Sequence, residues 1–173
     1  PQPEDDADET PEDLAYLGTL RQLNLPSQCF IWDVSPDSTR LLLSFQGRDE
    51  HFYTQSDLWW MDVSAALAAP DAEAARTQMH CLTAALDQYA LQAQWVASGI
   101  FASYVDGTLV RVARLDESGQ FLPLDFCGLY LEDVFHICAA GHLGLVTTNA
   151  TTFPEACIAS PGFRGTFSTR SPL

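Results

Sequence analysis

The segment 47–53 holds the densest group of chemically versatile side chains outside the acidic start of the chain. Its central residues carry a guanidinium, two carboxylates and an imidazole, and they are Arg48, Asp49, Glu50 and His51. A guanidinium or a carboxylate can hold a peptide terminus through charge-assisted hydrogen bonds, and loops between strands commonly carry recognition groups. We therefore predict these residues as substrate-binding candidates. An ordinary solvated loop is the alternative that the same composition allows.

The histidines are the candidates for general acid–base catalysis, and they are His51, His80, His136 and His142. A catalytic histidine also requires a nucleophile and a group that orients the imidazole, and nothing in the sequence connects such residues. Hydrolases with a nucleophile elbow place the serine in a G-x-S-x-G motif. The late serines lack these flanking glycines, and they are Ser160, Ser168 and Ser171. We predict no catalytic residue in this chain, and for His136 a hydrogen-bonded place in the core or at its rim.

The cysteines are widely and unequally spaced, and they are Cys29, Cys81, Cys127, Cys138 and Cys157. No C-x-x-C spacing, glycine-rich phosphate loop or nucleotide fingerprint occurs, so we predict neither a metal nor another cofactor. Each cysteine has apolar neighbours, which favours buried free thiols. Free thiols are typical of reducing compartments. We therefore expect a cytoplasmic protein, with a secreted or periplasmic location left open.

The chain is strongly acidic, with 23 Asp and Glu against 8 basic residues and a formal net charge of -15. All the basic residues are arginine. Nucleic-acid binding needs clustered Lys and Arg to neutralise phosphates, so we predict no nucleic-acid partner. No apolar run approaches the ~20 residues of a membrane-spanning helix. We therefore predict no membrane span.

Residues 1–28 are predicted to form an acidic arm and a lead-in segment. Carboxylates crowd residues 4–13, a composition typical of solvated chain. Apolar residues recur in the stretch that follows, at Leu14, Leu17, Leu20 and Leu23. Their spacing fits one face of a short helix and also the end of an extended segment, and Pro26 ends either one.

Short β-rich runs separated by turns begin near residue 29. The first unit has runs at 30–34 and 40–45, joined by Ser-Pro-Asp-Ser, and a third at 57–63. Pro36 supplies the fixed φ of a turn, and the Asp37 side chain can bond back to nearby backbone groups. We therefore predict a hairpin followed by a third strand.

Two further units follow the first. The second has runs at 89–96, 100–105 and 108–115, with the hairpin signal Asp106-Gly107 before the last one. The third is fainter, with runs at 134–138, 143–148 and 155–159. The three units begin near Cys29, Tyr89 and Val134, so they are 60 and 45 residues apart. The shorter interval matches the ~40 to 50 residues of a propeller blade.

The Ala-rich stretch 64–85 accounts for the longer interval as an insertion between two blades, either helical or loop-like and broken by Pro70. The predicted fold class is therefore all-β: a partial β-propeller of about three four-stranded antiparallel blades at 29–160, with one Ala-rich insertion. Residues 161–173 are predicted as a tail or linker towards a missing domain. A closed ring needs at least about four blades, so we expect the chain to join another segment, to oligomerise or to be one piece of something larger.

The tryptophans offer a large aromatic surface, and they are Trp32, Trp59, Trp60 and Trp95. A platform for carbohydrate or peptide is one use of such a set. Three of the four lie in strand patterns and each aromatic ring buries much apolar area. We therefore predict that they pack between blades.

The run Ser-Pro-Asp-Ser-Thr-Arg-Leu-Leu-Leu-Ser-Phe at 35–45, followed by Asp-Leu-Trp-Trp-Met-Asp-Val at 57–63, resembles the blade motif of serine peptidases of the prolyl oligopeptidase family. The segment 142–159 looks like the last-blade signature of dipeptidyl and acylaminoacyl peptidases. The stretch Val-Ala-Ser-Gly at 96–99 departs from the motif, because it lacks the Ser-Pro-Asp turn. Similar blades also occur in translocation-associated periplasmic proteins and in lone binding propellers.

This resemblance implies the non-catalytic propeller portion of a serine peptidase, which gates or selects peptide substrates. In that family the catalytic triad lies in a C-terminal α/β-hydrolase domain. The implied partners are a peptide substrate or a protein partner, together with missing blades or the hydrolase domain. A stand-alone propeller module for protein–protein interaction is the alternative.

Overall fold

The first β-rich unit forms an antiparallel sheet, here called blade 1. The computed structural model describes residues 21–46, 56–84, 86, 90–126, 128–149, 151–159 and 171–172. The strands of blade 1 neighbour one another in chain order, and they are β1 (Phe30–Val34), β2 (Arg40–Phe45), β3 (Asp57–Asp62) and β4 (His80–Cys81). The three strands predicted for this unit are confirmed.

The turn between β1 and β2 forms from its own side chains. Asp37 Oδ1 accepts hydrogen bonds from Ser35 Oγ at 2.6 Å and from Thr39 Oγ1 at 2.8 Å. The backbone N–H of Ser38 donates to the Ser35 carbonyl at 2.8 Å. These local bonds reverse the chain after Pro36, as the sequence predicted.

Two short helices connect β3 to β4, and they are α1 (Val63–Ala68) and α2 (Ala72–Thr77). Pro70 lies between them, and Asp71 caps α2 because its side chain accepts a hydrogen bond from Ala74 N at 2.8 Å. The predicted place of the insertion between two blades was wrong. The helices lie inside blade 1, before its fourth strand, and a two-residue strand has no periodicity to reveal it.

The second unit forms blade 2, again antiparallel and in chain order. Its strands are β5 (Ala90–Val96), β6 (Gly99–Asp106), β7 (Leu109–Leu115) and β8 (Phe121–Pro123). The hairpin at the end of β6 pairs Asp106 with Leu109, so its loop is Gly107-Thr108 and Gly107 takes a positive φ of 64°. The turn lies one residue later than the Asp-Gly signal predicted.

The third unit forms blade 3, whose strands are β9 (Tyr130–Ile137), β10 (Leu143–Asn149), β11 (Thr152–Ala159) and β12 (Ser171–Pro172). Strand β9 begins before the predicted start at Val134, because Glu132 and Asp133 interrupt its apolar pattern. A register shift in the β9–β10 pairing falls at the same place. Strand β12 lies within the range predicted as a tail or linker, and the three domain boundaries stay predictions.

The blades stack face to face, with β6 contributing to both interfaces. Ile100 and Ala102 belong to an apolar cluster shared with blade 1, whereas Phe101 belongs to a cluster shared with blade 3. This alternation follows from the period of two in a strand. Strands β7 and β9 also pair at Val110 and Leu131, and this one residue pair links blades 2 and 3 into a continuous eight-stranded sheet. Blade 2 is therefore packed between its two neighbours.

A third apolar cluster covers the other face of blade 1. Ala66 of α1 and Ala75 of α2 pack there on Leu41 and Leu43, together with Met61. The Asn24 side chain donates hydrogen bonds to the carbonyls of Ala69 and Pro70, which fastens the lead-in segment to the helices. Within the described ranges, neither helix has the length and apolarity that crossing a bilayer needs.

Candidate functional site

A cleft of about 560 Å³ opens between blades 1 and 2. Three turns surround it: 35–39 between β1 and β2, 97–98 between β5 and β6, and 116–120 between β7 and β8. These turns lie together because the two sheets stack on the cluster that contains Leu42 and Ile100. The cleft is the natural candidate site, since ligand sites are concave and combine apolar walls with a few placed polar groups.

Arg40 joins the two blades at the base of this cleft, here called the interblade cleft. Its Nη1 lies 2.5 Å from Glu117 Oε2 of blade 2, and its Nε lies 3.5 Å from Asp62 Oδ1 of blade 1. The guanidinium also lies over the Trp60 ring at 4.7 Å, and that ring stacks on His80 at 4.3 Å. The hydrogen bond to Glu117 raises the pKa of Arg40 above its usual value. The positive charge of Arg40 is therefore paired with Glu117 and Asp62.

The carboxylates that line the cleft also accept hydrogen bonds or form an ion pair. The Ser35 and Thr39 hydroxyls lower the pKa of Asp37 to about 2. Hydrogen bonds from Ser118 and Gln120 lower the pKa of Asp116 in the same way, because they stabilise the ionised form. Glu117 is bound to Arg40. These contacts hold the turns in place, and for Asp37 and Asp116 they all use one carboxylate oxygen, Oδ1.

Arg114 is the exception among the charged groups that line the interblade cleft. This half-buried side chain of β7 makes no hydrogen bond and has no carboxylate within 4.0 Å among the residues that the structure describes. It lies over Gly99, since a Cβ at that glycine would come within 2.9 Å of Arg114 Nε. Gly99 has φ 133°, which further favours glycine there. The cleft therefore holds one cationic group with unused donors.

Polar side chains also make hydrogen bonds between successive blades. Asp33 Oδ2 of β1 accepts a hydrogen bond from Trp95 N of β5 at 2.8 Å. Gln94 Oε1 of β5 accepts one from Ile137 N of β9, also at 2.8 Å. The same bond thus recurs at successive blades, from a side chain of one first strand to the backbone of the next. This hydrogen bond fixes the position of one sheet relative to the next.

The histidine predicted for the core or its rim lies at the rim. His136 is exposed, and its Nδ1 lies 3.0 Å from Gln94 Nε2. Among the tryptophans, Trp95 is buried, and Trp32 and Trp60 pack against the cluster between blades 1 and 2. Trp59 packs on the helical side of blade 1. The prediction of tryptophans between blades is confirmed for the first three.

The predicted substrate-binding residues lie outside the described residues, and they are Arg48, Asp49, Glu50 and His51. The strand ends on either side, Phe45 and Asp57, pair at the end of blade 1 opposite the 35–39 turn. Sequence reasoning missed the interblade cleft and Arg114. A single arginine in an alternating strand carries no local signal, because its surroundings come from the β5–β6 turn and from the 35–39 turn of the other blade.

The thiols differ from the prediction that all are buried. Cys157 is buried and Cys29 and Cys81 are half-buried, but Cys138 is exposed in the turn after β9. Burial raises the pKa of the Cys29 thiol to about 11. No group of three His, Cys, Asp or Glu residues is placed to hold a metal ion in the part of the chain that the structure describes.

Solved structures with similar folds are β-propellers. The chain superposes on the β-propeller domain of the Trilobed protease from Pyrococcus furiosus, described as having an open velcro topology, with TM-score 0.56 and 13% identity over 81% of this chain and 36% of that one. It also superposes on TolB from Acinetobacter baumannii, with TM-score 0.51 and 18% identity over 76% of this chain and 30% of that one. No protein-family model and no curated protein matches the sequence.

These likenesses, at low identity, show the fold alone. The predicted fold class, an all-β partial propeller of about three four-stranded antiparallel blades with one Ala-rich insertion, is confirmed. The chain spans about a third of each of these structures. The chain therefore has the fold of part of a β-propeller.

Proposed function

We propose that this chain is the non-catalytic propeller portion of a prolyl-oligopeptidase-like serine peptidase, in which the blades gate or select peptide substrates. One similar structure is the propeller domain of a protease, which supports this function. The motifs at 35–45 and 57–63 support the same family. In this proposal the nucleophile and its partners lie in a separate α/β-hydrolase domain, and the cytoplasm is the proposed location.

The observation that carries the proposal is the exposed apolar surface of β1. Phe30 is 56% exposed, Ile31 42% and Val34 40%, and all three residues lie on β1, the first strand of blade 1. Ile31 and Val34 pair with Leu43 and Leu41, on the face that α1 and α2 cover, whereas Phe30 contacts Trp32 on the opposite face. The open side chains therefore lie on both faces of this edge strand. Exposed apolar residues that adjoin one another mark a surface for a partner. In the proposal, another part of the peptidase covers β1 and closes the route to the active site.

A fluorophosphonate probe and a size-selection assay on the full-length protein test this function. The probe labels an activated serine, and the gate admits a short peptide while excluding the same sequence within an unfolded protein. The variant Ile31→Asp places a charge in the β1 contact, so it should relax this exclusion without abolishing labelling. Leu67→Asp is the control, since Leu67 is 45% exposed on α1, away from β1.

Absence of labelling and of peptide hydrolysis would refute the peptidase proposal and favour the protein-interaction module instead. Equal size selection in the wild type, Ile31→Asp and Leu67→Asp, with labelling intact, would refute the gating role of β1.

A further inference from the structure

The interblade cleft is lined by three carboxylates and two guanidinium groups. Asp37 and Asp116 accept hydrogen bonds within their own turns, and Glu117 forms an ion pair with Arg40 of the other blade. Among these charged groups, Arg114 has neither a hydrogen bond nor an ion pair within 4.0 Å among the described residues, and it interacts with Asp116 only at longer range. A half-buried guanidinium keeps five N–H donors in a planar fork that matches a carboxylate.

We infer that the interblade cleft holds a carboxylate of a peptide, with Arg114 as its anchor. This inference rests on the proposed function only in taking peptides as the ligand class. The Ser98 hydroxyl lines the same cleft and makes no hydrogen bond among the described residues, so it offers a second donor. Pro36 and Val96 supply apolar surface beside these donors for the adjoining side chain of the peptide.

The charges around Arg114 favour a carboxylate over a phosphate. Asp37, Asp116 and Glu117 line the cleft, and the chain carries a net charge of -15. A dianionic phosphate would meet about twice the repulsion of a single carboxylate from these fixed anions. Of these two anions, the singly charged carboxylate therefore meets less repulsion.

The backbone around Arg114 positions its guanidinium before any ligand binds. Gly99 lies beneath Arg114, and its lack of a Cβ leaves the space that the guanidinium occupies. Leu115, the next residue of β7, is buried between blades 1 and 2 and holds the strand in position. A preorganised donor loses less conformational entropy on binding. The site is thus built by two blades together.

Equilibrium binding of two matched probes to the full-length protein tests this inference. The probes are N-acetyl-trialanine as the free acid and as its C-terminal amide, and the protein is first treated with the fluorophosphonate so that no bond is cleaved. The free acid should bind about tenfold to a hundredfold more tightly, the range of a charge-assisted hydrogen bond. Added salt should weaken its binding, because the interaction is electrostatic.

The variant Arg114→Gln should bind both probes equally, whereas Arg114→Lys should keep part of the preference. Arg111→Gln is the matched control, since Arg111 lies on the same strand and already pairs with Asp106 at 2.7 Å. This control should leave the preference unchanged. Inorganic phosphate should compete poorly with the free acid.

Equal binding of both probes to the wild type, or a preference that survives in Arg114→Gln, would overturn the inference. Stronger binding of phosphate than of the free acid would also overturn it. A protein that the fluorophosphonate fails to label but that prefers the free acid refutes the peptidase proposal and supports this one. A protein that the fluorophosphonate labels but that does not prefer the free acid supports the peptidase proposal and refutes the inference about Arg114.

Discussion

Gln92 binds the backbone of Phe135 through both ends of its side-chain amide. Its Nε2 donates to the Phe135 carbonyl at 2.9 Å, and its Oε1 accepts from the Phe135 N–H at 3.2 Å. The side chain therefore takes the role that a neighbouring strand would have in a sheet. In this way blade 2 satisfies backbone groups of blade 3 that lie at the interface between them.

Replacing this side chain should loosen the interface between blades 2 and 3. We expect Gln92→Leu to lower the free energy of unfolding by about 2 kcal/mol, because it leaves two backbone groups of Phe135 without partners. The melting temperature should fall by about 4–8 °C. Denaturant titration measures the loss, and hydrogen exchange at the Phe135 amide locates it. The exposed Gln22→Leu serves as control, and equal stability of the two variants would contradict the prediction.

The turn before β8 makes a second close contact between blades, at Gly119. We expect Gly119→Ala to cost about 3 kcal/mol, because φ is 82° and the new Cβ would lie 2.5 Å from the Leu82 carbonyl oxygen. Gly107→Ala is the matched control, with φ 64° and open space around it, so only about 1 kcal/mol of backbone strain is expected. Equal losses in urea titrations would show that the contact with Leu82 is unimportant.

Local sequence signals predicted most of the strands and turns but not the contacts between blades. The turn at Asp37 and the strands 40–45 and 100–105 carry period-two patterns or turn residues, and the structure has strands and turns there. Strand β4 was missed because two residues show no period. Gln92 was missed for another reason: its partner Phe135 is 43 positions away and is brought to it by blade stacking. Arg114 was missed because the cleft that it lines forms only when blade 1 stacks on blade 2.

Thiol reactivity should follow exposure and the pKa of each group. At pH 8 only about a thousandth of Cys29 is thiolate, given its pKa of about 11. The exposed Cys138 should therefore be alkylated by iodoacetamide well before Cys29 in the folded protein, with the buried Cys157 also slow. Mass spectrometry of timed digests measures the order. Urea should make the rates converge, and a Cys29 that reacts as fast as Cys138 in the folded protein would contradict the prediction.

The turn carboxylate of Asp37 should make the stability of blade 1 sensitive to acid. Its pKa falls from 3.8 to about 2 in the folded chain because the Ser35 and Thr39 hydroxyls donate to it. A depressed folded pKa contributes stability that is complete above the unfolded value and is lost as the pH falls from about 4 to about 2. Asp37→Asn should therefore be less stable than the wild type at pH 6, and the gap should close towards pH 2. Urea midpoints across this range measure the gap, and a constant difference would show that the Asp37 charge has no part in it.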